Sequence, residues 1–432
     1  MTSYIKKFIE NPPRSEWAKI LARPNPGGTE ITAKVSEILS EVKNRGDRAL
    51  IEYNATFDGF NDENFEVTAH EIKQAISILP NHLKEAIIQA SKNITSFHEK
   101  QVIDPEPVET MPGVLCWRKS VPIEKVGLYI PGGTAPLFSS VLMLGIPAKI
   151  AGCNEIILCS PPQKDGNIHP AILFAAHLTG ITRLFKVGGA QAIAAMAFGT
   201  ETIPAVYKIT GPGNRFVTEA KQMVTKYGVA IDMPAGPSEV LVYADEGAIP
   251  SFVAADLLSQ AEHGEDSQVV LICPHRAFYE LVEAEIGKQL KFLPRRETAL
   301  KALENSIAIA MSDSSLAMAL INDYAPEHLI LALRNASDFV KDVRNAGSVF
   351  LGDLTPEAAG DYASGTNHTL PTNGFAKAFS GVSVDSFIKK ITFQQISANG
   401  LKLLGPVVAA MAEAEQLEAH RQAILIRLEN QV

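Results

Sequence analysis

Two short segments hold polar side chains spaced so that they can converge. SQAEHGEDSQ, residues 259–268, carries Gln260 and His263, three apart near the end of a predicted helix, so both can face one point. GDYASGTNH, residues 360–368, supplies Asp361 and His368, and His420 stands on the C-terminal tail. Imidazoles, a carboxylate and an amide carbonyl make a mixed nitrogen–oxygen donor set without thiolate. Such a set suits zinc, or manganese and cobalt in its place, in an open catalytic centre. These residues lie far apart in sequence and follow no HExxH-like spacing, so spacing alone fits ordinary surface or core histidines equally well.

A second constellation is Glu327-His328 in YAPEHLI. A carboxylate beside an imidazole, just before a predicted strand, can work as an acid/base pair at a sheet edge. Adjacent polar residues at a helix–strand junction are also often simply solvated. Glycine-rich turns form a third group. GGAQA (188–192) follows a predicted strand and opens a predicted helix, and GPGN (211–214) takes the equivalent place one unit later. Glycines there let backbone N–H groups approach a pyrophosphate at a helix N-terminus. Neither turn is the full GxGxxG fingerprint, and a glycine pair is often only a tight turn. YIPGGTAP (129–136) is denser. The four cysteines, Cys116, Cys153, Cys159 and Cys273, form no CxxC pair. A thiolate nucleophile would suit aldehyde oxidation, but Cys159 and Cys273 fall in predicted buried strands, and Cys116 and Cys153 have no His or Lys nearby. All four read as structural.

The elements that must carry these residues alternate. Residues 1–100 look largely helical, with apolar positions three and four apart over Thr32–Gly46, Ala69–Leu79 and His82–His98. Short apolar stretches near Val114 and Val121 suggest strands. From 126 a strand–helix unit repeats four times and closes on VAID (229–232). After the turn MPAGPSE the rhythm restarts with EVLVYA, VVLICP, SIAIAMS, LILAL and SVFL as strands. Helices fall between them near 250–263, 276–290, 314–324 and 337–345. Such alternation predicts parallel sheets covered by helices.

The predicted fold is therefore α/β, with two Rossmann-like parallel-sheet units, a helical N-terminal segment and a helical C-terminal tail. The expected boundaries are 1–125 for the N-terminal region, part of it packing on the second unit, 126–236 for the first α/β unit, 237–381 for the second and 382–432 for the tail.

Bulk composition agrees. The chain has 432 residues, more than the roughly 250–300 at which single cores stop growing. It is 46% hydrophobic and 20% charged with net charge −9, which argues against long disorder and against a nucleic-acid surface. Nowhere do about 18 apolar residues run uncharged, so no membrane span is expected. The richest stretch, SSVLMLGIPAKIAG, is broken by Pro147 and Lys149. The N-terminus has no signal-like apolar run, and the unpaired cysteines fit a cytoplasmic protein.

Taken together and in order, YIPGGTAPLFSSVLML, KVGGAQAIAAMAFGTE, KITGPGN, IDMPAGPSEVLV, LLSQAEHGEDSQ, YAPEHLI, GDYASGTNHTLPTNG and the tail's EQLEAH resemble the histidinol dehydrogenase family from about 125 to 425. The resemblance implies an NAD-dependent enzyme of the last steps of histidine biosynthesis, oxidising L-histidinol to L-histidine through L-histidinal. It implies one zinc ion per subunit, NAD as a co-substrate, and a domain-swapped homodimer with shared sites. It assigns zinc to Gln260, His263, Asp361 and His420, and acid/base chemistry to Glu327 and His328. Further substrate contacts fall on Ser238, His368 and Glu415, and NAD contacts on Tyr129, Gln191 and Asn214. Gln416 departs from the glycine that many members carry between Glu415 and Leu417, which bears on the turn before His420. On an ideal helix Glu415 and His420 would sit about 140° apart, so the resemblance also requires a bend there or approach from different sides.

Overall fold

The structure, a computed structural model, describes residues 3–23, 29–132, 136–234 and 236–430. Residues 133–135 of the dense glycine–proline turn, and Ala235 of MPAGPSE, lie outside the described residues.

Along the chain the strands are β1 (Lys7–Glu10), β2 (Val108–Met111), β3 (Val114–Pro122), β4 (Lys125–Tyr129), β5 (Glu155–Ser160), β6 (Arg183–Lys186), β7 (Lys208–Thr210), β8 (Ala230–Ile231), β9 (Glu239–Ala244), β10 (Gln268–Cys273), β11 (Ile307–Ala310), β12 (His328–Ala332), β13 (Ser348–Leu351) and β14 (Ile388–Ile396). One parallel sheet has the order β6-β5-β4-β7-β8 and a second the order β1-β11-β10-β9-β12-β13, while β14-β3-β2 form a small antiparallel sheet.

Both parallel sheets are buried on two faces, as continuous apolar runs require. In the first, Val126, Leu128 and Ile130 join one core, while Tyr129, Ile157 and Cys159 join the core behind it. In the second, Val240, Val242 and Ala244 face one way and Leu241 and Tyr243 the other. Alternation along each strand thus feeds two cores per sheet. Helices Ala69–Ile78 and Asn81–Glu99 cover one face of the first sheet and helix Thr29–Arg45 the other.

The short, unperiodic ends depart most from expectation. The N-terminal region opens with β1, which pairs in parallel with the edge of β11; four residues, KFIE, are too few for periodicity to separate strand from helix. The stretches near Val114 and Val121 are one strand, β3, and β2 precedes it. The tail begins with β14, nine residues paired antiparallel to β3, so it is helical only from Ala398. Residues 336–342 form a 3-10 turn rather than an α-helix.

Pro147 does not end its helix, Phe138–Ala151. Proline supplies no N–H to the carbonyl four residues back, and the Nδ2 of Asn367 donates to that carbonyl, on Met143, at 2.6 Å. No helix among the described residues is long and apolar enough to cross a membrane.

Candidate active site

The predicted acid/base pair, Glu327-His328, sits where β12 begins, beside strand β9 of the second sheet. Ala325, at φ 53°, closes the helix Ser314–Tyr324 and turns the chain into Pro326-Glu327-His328. Glycine is required opposite: a Cβ on Gly347 would lie 2.5 Å from the Glu327 carbonyl oxygen. Glu327 Oε2 accepts the Glu239 N–H at 2.9 Å. Glu239 is gripped by Arg23, whose Nε and Nη2 lie 2.5 and 2.8 Å from its carboxylate oxygens, and Arg23 stacks over Tyr324 at 3.9 Å.

Around His328 the structure gathers three carboxylates. Nδ1 lies 3.6 Å from Glu357 Oε1 and 3.7 Å from Glu327 Oε2, and Nε2 lies 3.5 Å from Asp361 Oδ1 without forming a hydrogen bond. Burial pulls the imidazole down, but Glu357, Glu327 and Asp361 outweigh it and push it up to about 10. Burial pushes Glu327 up to about 7, against the attraction of His328 and the Glu239 N–H. Glu357 is pushed up to about 8 by burial, and Asp361, Glu327 and Asp256 add to the same direction. Asp361 is held below the carboxylate range: burial alone would raise it, but His328, His368 and His263 prevail.

One imidazole cannot neutralise so many buried acids, and such a cluster calls for a cation. Ligand atoms of His263, Glu357 and Asp361 lie within 4.8 Å of one another. Gln260 is fully buried at the end of helix Pro250–Ala261, and neither amide atom has a hydrogen-bond partner. Both Glu357 carboxylate oxygens are likewise without one. Buried polar atoms left unpaired cost about 1–3 kcal/mol each, so the donor set fits a metal ion.

The loop carrying Asp361 and His368 is tied to the first unit. The Asp361 carbonyl accepts from His368 Nδ1 at 2.7 Å, which fixes the tautomer and leaves Nε2 facing the Ser140 hydroxyl at 3.0 Å. Both ring nitrogens of His368 are therefore engaged within the chain. Ser238 immediately precedes Glu239 and lines a small recess with Arg23 and Asp266.

Glu357 was missed in the sequence. Its signal was there: it stands four residues before Asp361 in the short helix Glu357–Tyr362, so both project from one face. Asp256, four before Gln260, has the same relation to its neighbour, and burial pushes its carboxyl up to about 7.

The tail is not brought to this cluster. Glu415 caps helix Ala398–Ala414, Gln416 takes φ 58°, and helix Glu418–Glu429 begins after Leu417. The chain bends between Glu415 and His420, and Gln416 adopts the left-handed conformation that glycine takes without strain. Both Glu415 and His420 are exposed. Nearby, Leu403, Val407, Met411 and Ile426 are also exposed.

At the carboxyl ends of β4, β5, β6 and β7 opens a cleft of about 790 Å³ lined by Tyr129, Pro161, Gln191, Asn214 and Asp58. The strand order reverses between β4 and β7, the place where doubly wound sheets bind ligands. The Tyr129 hydroxyl accepts the Gly189 N–H at 2.9 Å, and Asn214 caps helix Arg215–Val224 by accepting from Phe216 and Val217. A Cβ on Gly211 would fall 2.1 Å from the Tyr129 carbonyl oxygen, so GPGN can approach this strand only as glycine. Buried Lys221 and Asp232, 2.5 Å apart, clamp Gly211 through its carbonyl and N–H. The N-termini of helices Gly189–Phe198 and Arg215–Val224 meet this cleft, a setting that suits a dinucleotide's phosphates.

All four cysteines are free. Cys159 and Cys273 are fully buried in β5 and β10, and burial pushes Cys273 up to about 12 and Cys153 up to about 11. A nucleophile needs the opposite shift. Replacing all four by Ala or Ser is expected to leave turnover of the chain's substrate within about tenfold of the parent. A folded variant slower by about a thousandfold would show a thiol in the chemistry.

A family model described as histidinol dehydrogenase matches residues 21–428. The histidinol dehydrogenase of Bacteroides thetaiotaomicron is 58% identical, covering 98% of this chain and 99% of that one. The Salmonella typhimurium histidinol dehydrogenase is 52% identical, over 95% of this chain and 94% of the relative. The crystal structure of histidinol dehydrogenase from Elizabethkingia anophelis superposes with TM-score 0.97 at 50% identity, covering 100% of this chain and 99% of that one.

Proposed function

The chain belongs to the histidinol dehydrogenase family, and from that premise we propose how its site divides the work. The protein is an oxidoreductase of histidine biosynthesis that acts on histidinol. We assign it NAD as electron acceptor, held in the cleft by Tyr129, Gln191 and Asn214. Gln260, His263 and Asp361 would hold one zinc ion, with the partner subunit's His420 as a further ligand. The ion supplies a fixed positive charge on which histidinol's imidazole and amine are oriented. The observation that carries this reading is the unpaired, fully buried Gln260 amide beside a carboxylate-rich cluster.

His328 takes the alcohol proton as a hydride leaves carbon for NAD, giving the aldehyde; a cation held by the neighbouring acids would offset the charge that keeps this imidazole protonated and so free it to act as the base. The His328 Nε2 is buried, makes no hydrogen bond and is the nitrogen we assign to the substrate. Glu327 then removes a proton from water as the oxygen adds to the aldehyde carbon, while His328 gives the proton it holds to the carbonyl oxygen, forming the hydrate and leaving His328 a base again. His328 takes a proton from that hydrate while a second hydride leaves for a second NAD, and the carboxylate results. Ser238 and His368 border the substrate, and His368 also braces the Asp361 loop through its two ring contacts. On the other side of the His328 ring, Nδ1 donates to the Glu239 carbonyl at 3.4 Å, with the Glu357 carboxylate 3.6 Å away.

A homodimer with exchanged tails completes the site in this reading. It is supported by the exposure of His420 and Glu415 and by the exposed apolar side chains around them. The free thiols agree with a cytoplasmic location.

The test is NADH formation from histidinol by the metal-loaded protein. About two NADH per histidinol consumed are expected, because alcohol to acid is a four-electron change. A chelator should abolish turnover and zinc restore it. A single NADH per histidinol, or full activity without metal, would defeat this reading.

A further inference from the structure

Dinucleotide-binding folds commonly place an acidic residue just after the second strand, where it binds a ribose 2′-hydroxyl. Here the second strand of the first unit, β5, runs into Pro161 and Pro162, which line the cleft and carry no acid. The next carboxylate, Asp165, is spent on its own turn, accepting from the Asn167 N–H and side-chain amide at 3.0 and 3.2 Å.

The cleft receives a carboxylate from elsewhere. The helix Asp47–Tyr53 widens into a π turn over Asn54–Asp58, a distortion frequent at functional sites. Buried Asn54 pins this turn to the end of β6 by donating to the Lys186 carbonyl at 3.1 Å. The turn aims Asp58 at the cleft wall beside Pro161 and Tyr129. Asp58 Oδ2 is buried and has no hydrogen-bond partner, and burial pushes the carboxyl up to about 6. The same turn presents an aromatic platform. Tyr53 and Phe57 both line the cleft, stacked 5.6 Å apart and 4° from parallel, with Phe57 59% exposed. Flat apolar surface next to an unpaired acceptor suits an adenine ring joined to a ribose.

We propose that Asp58 accepts the 2′-hydroxyl of the dinucleotide's adenosine ribose and so sets the preference for NAD over NADP, with adenine resting near Tyr53 and Phe57. The proposal rests on the cleft being the NAD site. A ribose hydroxyl relieves the unpaired oxygen, whereas a 2′-phosphate brings like charge against it. The other acid lining the cleft, Glu37, is exposed to solvent and holds no such unpaired buried atom.

Equilibrium binding of NAD, NADP and NAD lacking the adenosine 2′-hydroxyl, by calorimetry, tests this without turnover. The unaltered protein is expected to bind the deoxy analogue about 10- to 100-fold more weakly than NAD, the scale of one hydrogen bond to a charged group. Asp58→Ala should weaken NAD by a similar factor and then lose no more than about twofold further with the deoxy analogue. Asp58→Asn should narrow the NAD-to-NADP ratio at least about tenfold. If the unaltered protein binds the deoxy analogue as tightly as NAD, the proposal falls, and that arm needs no variant to fold. A deoxy penalty that persists in Asp58→Ala overturns it too. Failure of the unaltered protein to bind NAD at all would instead overturn the reading of the cleft.

Discussion

Chains carrying His263→Ala and chains carrying His420→Ala, each inactive alone, are expected to regain activity when their subunits exchange. The structure leaves His420 exposed on the tail and His263 beside Glu357 and Asp361. If tails are exchanged in a two-fold dimer, a mixed pair collects both lesions in one site and neither in the other. Random exchange makes about half the dimers mixed, so recovered activity should approach about a quarter of the parent. The measurement is histidinol-dependent NADH formation after exchange, with the mixed species confirmed by differential tagging and mass. Verified mixed dimers without activity would mean that each site uses its own tail, and the shared site would be wrong. The bend at Gln416 makes the exchange geometrically reasonable. It separates helix Ala398–Ala414 from helix Glu418–Glu429, so Glu415 and His420 no longer follow one helical face.

Glu327→Gln is expected to slow oxidation of histidinal by about 10²- to 10⁴-fold, the usual contribution of a general base. Dehydrogenation of the alcohol should fall by no more than about tenfold, read as the first NADH formed in a single turnover. The substitution keeps the side chain's shape and its ability to accept the Glu239 N–H, now 2.9 Å from Oε2, so the packing around β12 survives. What it removes is basicity. In the proposed mechanism only hydration of the aldehyde needs a water activated by this group, and the first hydride transfer needs His328. Supplying histidinol and histidinal separately divides the two steps. Equal losses with both substrates would show that Glu327 orients His328 rather than activating water.

Much of the site was legible as residue types and little of it as a place. Gln260 and His263 announced themselves by helical spacing, because three residues on a helix end is a local relation. Glu327-His328 stood out as neighbours. Glu357 was overlooked although its four-residue relation to Asp361 is equally local, since the helix that pairs them is only six residues long. Asp58 gave no sequence signal, because its access to the cleft depends on a π turn and on Asn54 reaching the end of β6.

By itself the sequence determined the periodic part of this protein. Two runs of alternating strands and helices, apolar enough to be buried on both faces, define two parallel sheets, and the glycine turns at their strand ends mark where a ligand can approach. These follow from local forces acting over a few residues. Only the tertiary structure decided that β1 joins the second sheet, that β14 precedes the helical tail, and that His328 meets Glu357 and Asp361. It also decided that Asn367 takes the carbonyl left open by Pro147. Each of these is a contact between segments distant in sequence. Such contacts are chosen by which unpaired edge, buried charge or orphaned carbonyl the assembled fold leaves to be satisfied.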